Sequence, residues 1–295
     1  MSTAPARRPA SWSGAGFVLP FALVYGVFLV WPTLAGLWSS FFDQSLTGRP
    51  AAFVGTANWS EMLSDPAVWS SLWNTVVFTA LSTPPLVLTG LALALLTQRV
   101  RRLGWLLRFS FFAPYLLPVA VVTLIWVWLY QPGFGLFNAG LARIGLPEVG
   151  WLSDERVAML AVVVTTTWWT AGFNYLLYLA ALQGIPRPVY EAAELDGAGA
   201  WQRLTRITLP MLRRVTGLVV VLQLVASLKI FDQVYLMTRG GPNLATRPLI
   251  QYVYETGFGV FRTGYASAVA YMFLALLILV SLVQFRLTAT KEDRP

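Results

Sequence analysis

Apolar residues in this chain run in long unbroken stretches, without the period-two or three-to-four spacing of a half-buried soluble element. Six stretches stand out, at about 15–41, 71–97, 109–130, 157–182, 215–237 and 264–286. Each meets the roughly 20 mainly apolar residues that a transmembrane helix needs. The pattern predicts an all-α polytopic membrane protein of six transmembrane helices over 15–286, with polar tails at 1–14 and 287–295. The first run is far longer than the roughly 7–15-residue core of a cleaved signal, so it predicts a retained span. Pro32 is expected to kink or loosen it.

One polar stretch, 187–214, interrupts this pattern between the fourth and fifth runs. It carries Glu191, Glu194, Asp196, Arg203, Arg206, Arg213 and Arg214, and must lie outside the bilayer. Its local signals predict a folded knob. Pro188 suits the first turn of a helix and 190–195 are mostly good helix formers, while Gly197 supplies a stop or a turn. A second short helix, Ala200 to Leu209, is expected to end at Pro210, whose ring cannot continue the backbone ladder.

Composition strengthens the class and narrows the chemistry. The chain is 57% hydrophobic and only 12% charged, more apolar than a soluble domain of this length requires. Cysteine and histidine are both absent, which removes thiol nucleophiles, disulfides, His bases and Cys- or His-based metal sites. No catalytic residue and no metal site is expected, and no P-loop is present. The net charge of +8 is a matter of topology. With the N-terminus inside, fourteen Lys and Arg fall in the inner segments and six in the outer loops, so the positive-inside rule puts both termini and the knob in the cytoplasm. Nucleic-acid binding gains no support from that charge.

Within the spans, Lys229 and Asp232 are the ionisable residues. Three apart on one face of the fifth helix, they read either as an ion pair snorkelling to the outer surface or as a substrate-facing pair. Sugars are held by aromatic faces together with polar side chains. Trp168, Trp169, Asn174 and Tyr175 in the fourth run and Gln223 in the fifth are therefore pathway candidates. The competing reading is ordinary helix packing, although an amide at the depth of Asn174 needs a partner.

The knob resembles the EAA loop of the inner-membrane permease subunits of ATP-binding-cassette (ABC) importers. The matching residues are Glu191-Ala192-Ala193, Asp196-Gly197-Ala198, Ile207 and Leu209-Pro210. Arg214 stands where the family usually has a second proline. Other segments are similar to permeases of the carbohydrate-uptake type, which serve binding-protein-dependent sugar and glycerol 3-phosphate transport. These are Phe53-Val54-Gly55, Asn58-Trp59, Asp65, Asn74-Thr75, Ala181 through Pro186, Phe231 through Tyr235, Thr238 through Pro242, and Gly264-Tyr265-Ala266.

The resemblance implies the type I importer fold and a place in the bacterial inner membrane. It also implies a second permease subunit (usually a different relative), two ATPase subunits, an extracytoplasmic binding protein and surrounding lipid. This chain would carry no cofactor, with ATP and Mg bound by the ATPases. Glu191, Ala192, Ala193, Asp196, Gly197, Ala198, Leu209 and Pro210 would couple it to an ATPase. Asn174, Tyr175, Trp168, Gln223, Lys229 and Asp232 would lie along the substrate pathway. The implied cargo is a sugar or oligosaccharide, with glycerol 3-phosphate or a related polyol phosphate as the alternative. A secondary transporter would show inverted repeats with broken helices, and none is visible. An integral-membrane transferase would need paired acidic ligands, for which only Glu191, Glu194 and Asp196 offer themselves.

Overall fold

The computed structural model of the chain describes residues 12–48, 50–98, 100 and 102–289. Arg7, Arg8, Arg49, Arg99, Arg101, Lys291 and Arg294, which contribute to the charge asymmetry, lie outside the described residues. Five helices are long and apolar enough to cross a membrane: Phe17–Ser39, Pro66–Thr97, Glu155–Gln183, Ala200–Leu228 and Thr263–Gln284. A bent pair, Gly104–Leu116 with Val119–Leu129, makes six if it counts as one span.

The backbone divides into two compact units. One runs through Ser64 and resumes over Val253–Met272, and the other holds Asp65–Tyr252 and the chain from Phe273 onward. In the first unit, Phe17–Ser39 buries none of its apolar window inside the chain. Tyr271 touches it, its hydroxyl bonding the Thr33 carbonyl and its ring lying against Gly36. Phe42–Asp43 and Ala52–Phe53 then form a two-residue antiparallel ribbon. The amide of Asn58 ties its start down, donating to the carbonyls of Ser40 and Phe42 at 2.9 Å each. Gly264 opens the last helix beside this ribbon because a Cβ there would sit 1.9 Å from the Phe42 carbonyl oxygen.

The second unit is built on the pairing of Pro66–Thr97 with Glu155–Gln183. Close approach is possible because Gly90 has no side chain; a Cβ there would meet that of Asn174 at 2.6 Å. Gly172 likewise admits the Phe111 carbonyl, which would lie 2.2 Å from an added Cβ. Around one end of the pair, Phe78, Val122, Trp126, Tyr130 and Val162 form an apolar cluster. Around the other, Tyr175, Tyr178, Leu182, Leu212 and Val219 form a second.

Three expectations need correction. The third run, expected as a single transmembrane helix over 109–130, is a pair of helices bent by 96° between Leu116 and Val119. Pro118 forces this, because a residue before proline is driven out of the helical region, and Leu117 is extended with ψ 137°.

The fifth helix does not stop at Pro210. It runs continuously over Ala200–Leu228, because Leu204–Thr208 forms a π-helical turn in which the Leu209 N–H donates to the Leu204 carbonyl. A proline in α-helical register presses on the carbonyl four residues back and lacks the N–H donor. A wider turn just upstream accommodates it. The same device occurs at Gly26–Val30, two residues before Pro32.

The fifth helix also ends early. Lys229 is its C-cap and Asp232 begins the short helix Asp232–Met237, with Phe231 at φ −149°, ψ −69° between them. The two charges therefore do not share a helix face and make no ion pair with each other.

Candidate functional site

Two places collect the residues of interest, both within the second unit. The first is the polar loop. Arg187–Leu195 forms a helix with Pro188 in its first turn. Its end is a Schellman cap: the Gly197 N–H donates to the Glu194 carbonyl at 3.1 Å and the Ala198 N–H to the Ala193 carbonyl at 2.9 Å. Gly197 has φ +77°, a region that glycine occupies without steric penalty. Glu191, Ala192, Asp196 and Gly197 are exposed, while Ala193 and Ala198 are half-buried.

Among the described residues, neither the Glu191 nor the Asp196 carboxylate has a hydrogen-bond or ion-pair partner, and both side chains are exposed. Glu194 pairs with Arg203. Among the described residues no group of three acidic side chains could hold a metal ion. Leu209 and Pro210 stand apart, past the π turn and in the helix Leu209–Leu228. Two residues without a motif to mark them complete the surface: Leu195 is 91% exposed and Trp201 73% exposed. Both are large apolar side chains that the chain leaves uncovered near the Glu191 and Asp196 carboxylates.

The second place is a cavity of about 390 Å³ at the break in the fifth helix. The gap between Leu228 and Asp232 puts both Lys229 and Asp232 on its wall, and both are exposed. Gln223, Thr166, Thr170 and Gln233 supply polar lining, and Trp169, Tyr115, Phe173 and Phe231 supply aromatic surface. Such a mixture suits a ligand with both hydroxyl groups and a carbon face.

Of the six pathway candidates, Gln223, Lys229 and Asp232 line the cavity and three do not. Asn174 sits one layer behind: its Nδ2 donates to the Leu86 carbonyl at 3.1 Å, and its Oδ1 accepts from Gln223 Nε2 at 2.9 Å. It thereby satisfies the amide requirement while fixing the rotamer of a wall residue. Tyr175 is fully buried in the second apolar cluster, where its hydroxyl accepts from Thr97 Oγ1 at 3.0 Å. Trp168 packs on Trp126 with ring centroids 5.5 Å apart. One residue on, Trp169 is the indole on the wall, its Nε1 held by the Leu117 carbonyl at 3.2 Å.

Sequence reasoning missed Gln233, Thr166 and Tyr115. Gln233 is 2% exposed and ties the short helix to the fourth span, its Oε1 accepting from Thr166 Oγ1 at 2.8 Å. Tyr115, in the bent pair, stacks on Phe173 of the fourth span with ring centroids 5.5 Å apart. The available signal was Pro114 and Pro118 on either side of that tyrosine.

Comparison with known proteins bears on both places. The family model described as "Binding-protein-dependent transport system inner membrane component" matches residues 86–291, which include the polar loop and most of the cavity wall. The sulfoquinovosyl glycerol transport system permease protein SmoG of Agrobacterium fabrum is 36% identical over 274 residues, 92% of this chain and 89% of that protein. The lactose transport system permease protein LacF of Rhizobium radiobacter is 32% identical, covering 95% of each chain. The sn-glycerol-3-phosphate transport system permease protein UgpA of Yersinia pestis is also 32% identical at the same coverage. Among solved structures, a chain of a bacterial alginate ABC transporter, crystallised with an alginate pentasaccharide-bound periplasmic protein, superimposes with TM-score 0.84 over 96% of both chains. At 23% identity that likeness is one of fold. Long apolar helices, a capped polar loop and a family match over 86–291 lead to one conclusion: the chain belongs to the inner-membrane permease components of binding-protein-dependent ABC transport systems, with the type I importer fold.

Proposed function

We propose that this permease carries a sugar or oligosaccharide inward through the cavity at the break of the fifth helix, by alternating access driven by partner ATPases. The observation that carries the reading is the joining of aromatic walls, amides and two opposite charges, not paired with each other, in one cavity. Hydroxyl-rich ligands match it, with indole and phenol rings covering the carbon face and Gln223, Lys229 and Asp232 meeting hydroxyls. The relatives' names support the carbohydrate class and hold open an anionic variant, since SmoG and UgpA are named for a sulfonated and a phosphorylated cargo. Lys229 is the residue that would meet such a group.

ATP and Mg belong to two ATPase subunits in this reading, and the solute arrives on an extracytoplasmic binding protein. A second permease, a relative of this one, closes the other side of the pathway. The chain lies in the bacterial inner membrane with both termini cytoplasmic. Glu191, Ala192, Ala193, Asp196, Gly197 and Ala198, with Leu195 and Trp201, dock in a groove on an ATPase as a rigid lever. Leu209 and Pro210 set the base of the fifth helix behind it.

The test is uptake into proteoliposomes holding the complete transporter, with lactose, sulfoquinovosyl glycerol and glycerol 3-phosphate as labelled solutes. Uptake of at least one that requires both ATP and the binding protein is expected. Uptake that persists without ATP and collapses with the proton gradient would point to a secondary transporter and overturn the reading.

A further inference from the structure

The π turn at Leu204–Thr208 does more than accommodate Pro210. In an α-helix, residues five apart point about 140° away from each other. In the π turn they come back into line, because hydrogen bonds there run between residues five apart. Thr208 Oγ1 accordingly bonds the Arg203 carbonyl, five residues back, at 3.2 Å, whereas Thr205 just upstream bonds the ordinary fourth, Trp201, at 2.9 Å. Arg203 and Thr208 are thus brought onto one side of the helix base.

Opposite them, Tyr190 and Glu194 are four apart on Arg187–Leu195 and share a face of that helix. The two pairs meet side chain to side chain. The Tyr190 hydroxyl bonds Thr208 Oγ1 at 2.9 Å, and Glu194 forms an ion pair with Arg203. Thr208 is 4% exposed, so its link is shielded from water.

We propose that these two links brace the docking helix to the fifth span, so that Arg187–Leu195 and Ala200–Leu228 move as one body when an ATPase moves. Tyr190, Glu194, Arg203 and Thr208 are positioning residues, since they touch neither ATP nor solute. The geometry supplies the reason for such a brace. Backbone between the two helices is only 196–199, turning at Gly197 and passing Gly199, and a link containing two glycines transmits force poorly. The braced helix runs unbroken to Leu228, and Gln223 and Ser227 on it line the cavity. A displacement entering at Glu191–Ala198 therefore reaches the cavity through the side-chain links. The proposal rests on the reading that Glu191–Ala198 docks in an ATPase.

The absence of native cysteine makes the test direct. Spin labels are placed by Val189→Cys, on the helix Arg187–Leu195 but outside the docking residues, and Leu218→Cys, both at exposed positions, in the complete transporter in nanodiscs. Their separation is measured by pulsed electron resonance with and without ATP and vanadate. With the brace intact, one narrow separation persists in both states. In Tyr190→Phe combined with Arg203→Ala, the distribution is expected to broaden and to shift on ATP trapping by about 1–2 Å or more, the scale of helix shifts in switching proteins. ATP hydrolysis should persist in that variant. Reversing the ion pair, Glu194→Arg with Arg203→Glu, should restore the narrow distribution, which loss of local folding would not allow. A separation that stays narrow and unchanged in the unbraced variant would overturn the brace alone. If trapping ATP leaves the mobility of the Val189 label untouched in the intact transporter, the docking reading fails, and the brace with it.

Discussion

Replacing Gly197 isolates what the loop needs from its backbone. The residue has φ +77°, and a Cβ built on it meets nothing within 4 Å. Any cost of a side chain within this chain is therefore conformational. For a residue with a Cβ, left-handed geometry costs about 1–2 kcal/mol. That cost would lower the ratio of capped to uncapped loop about 5- to 30-fold. Asparagine tolerates this region and serves at the same helix-cap position, whereas a β-branched residue is a clear outlier there. The expected order of coupling, read as solute moved per ATP hydrolysed in proteoliposomes, is Gly197, then Gly197→Asn, Gly197→Ala and Gly197→Val. Total ATP hydrolysis should fall less than transport. The ranking separates two causes, because asparagine is bulkier than alanine. If bulk against the ATPase were the problem, Gly197→Asn would be worse than Gly197→Ala. That result, or equal coupling in all three variants, would refute the conformational reasoning.

Asn174→Leu should destabilise the second unit by about 1–3 kcal/mol, because Gln223 Nε2 is left without its acceptor in a buried place. Adding Gln223→Leu should recover much of the thermal stability, since removing both partners is far less costly, yet uptake should stay impaired because a wall amide is gone. A double variant no more stable than Asn174→Leu alone would count against this layering. Lys229→Gln should change the half-saturation of uptake and leave solute-independent ATP hydrolysis as it is; unchanged uptake kinetics would place the lysine outside the pathway.

Hydropathy made the spans legible because membrane helices carry a compositional signal that needs no tertiary context. It could not show how prolines act inside them. Pro118 bends the third span through 96°, while Pro210 passes smoothly into the fifth, although both look like breakers in sequence. The difference lies upstream. Leu117 before Pro118 is driven extended, whereas the turn before Pro210 widens and keeps the ladder going. Whether a proline bends a helix or is absorbed by a π turn depends on what the neighbouring carbonyls can reach, which is tertiary information. The polar loop was legible for the opposite reason, since its glycine cap and helix start are local.

The cavity shows where local reading stops and why. Lys229 and Asp232 share a face only if the helix continues through them, and no glycine or proline marks the break at Lys229–Phe231. Instead, Gln233 is held by Thr166 across to the fourth span, and Ser227 accepts a hydrogen bond from Ser82 on the second at 3.0 Å. Two interhelical bonds, one on each side of the gap, anchor the ends of a helix that therefore does not close. Each charge also lies at the helix end of favourable sign, the lysine at a C-terminus and the aspartate at an N-terminus. Neither needs the other as a partner, so both stay available on the cavity wall. Opening the helix thus replaces a predicted ion pair with two separate charges on the cavity wall, which is the physical basis for proposing the pathway at this break.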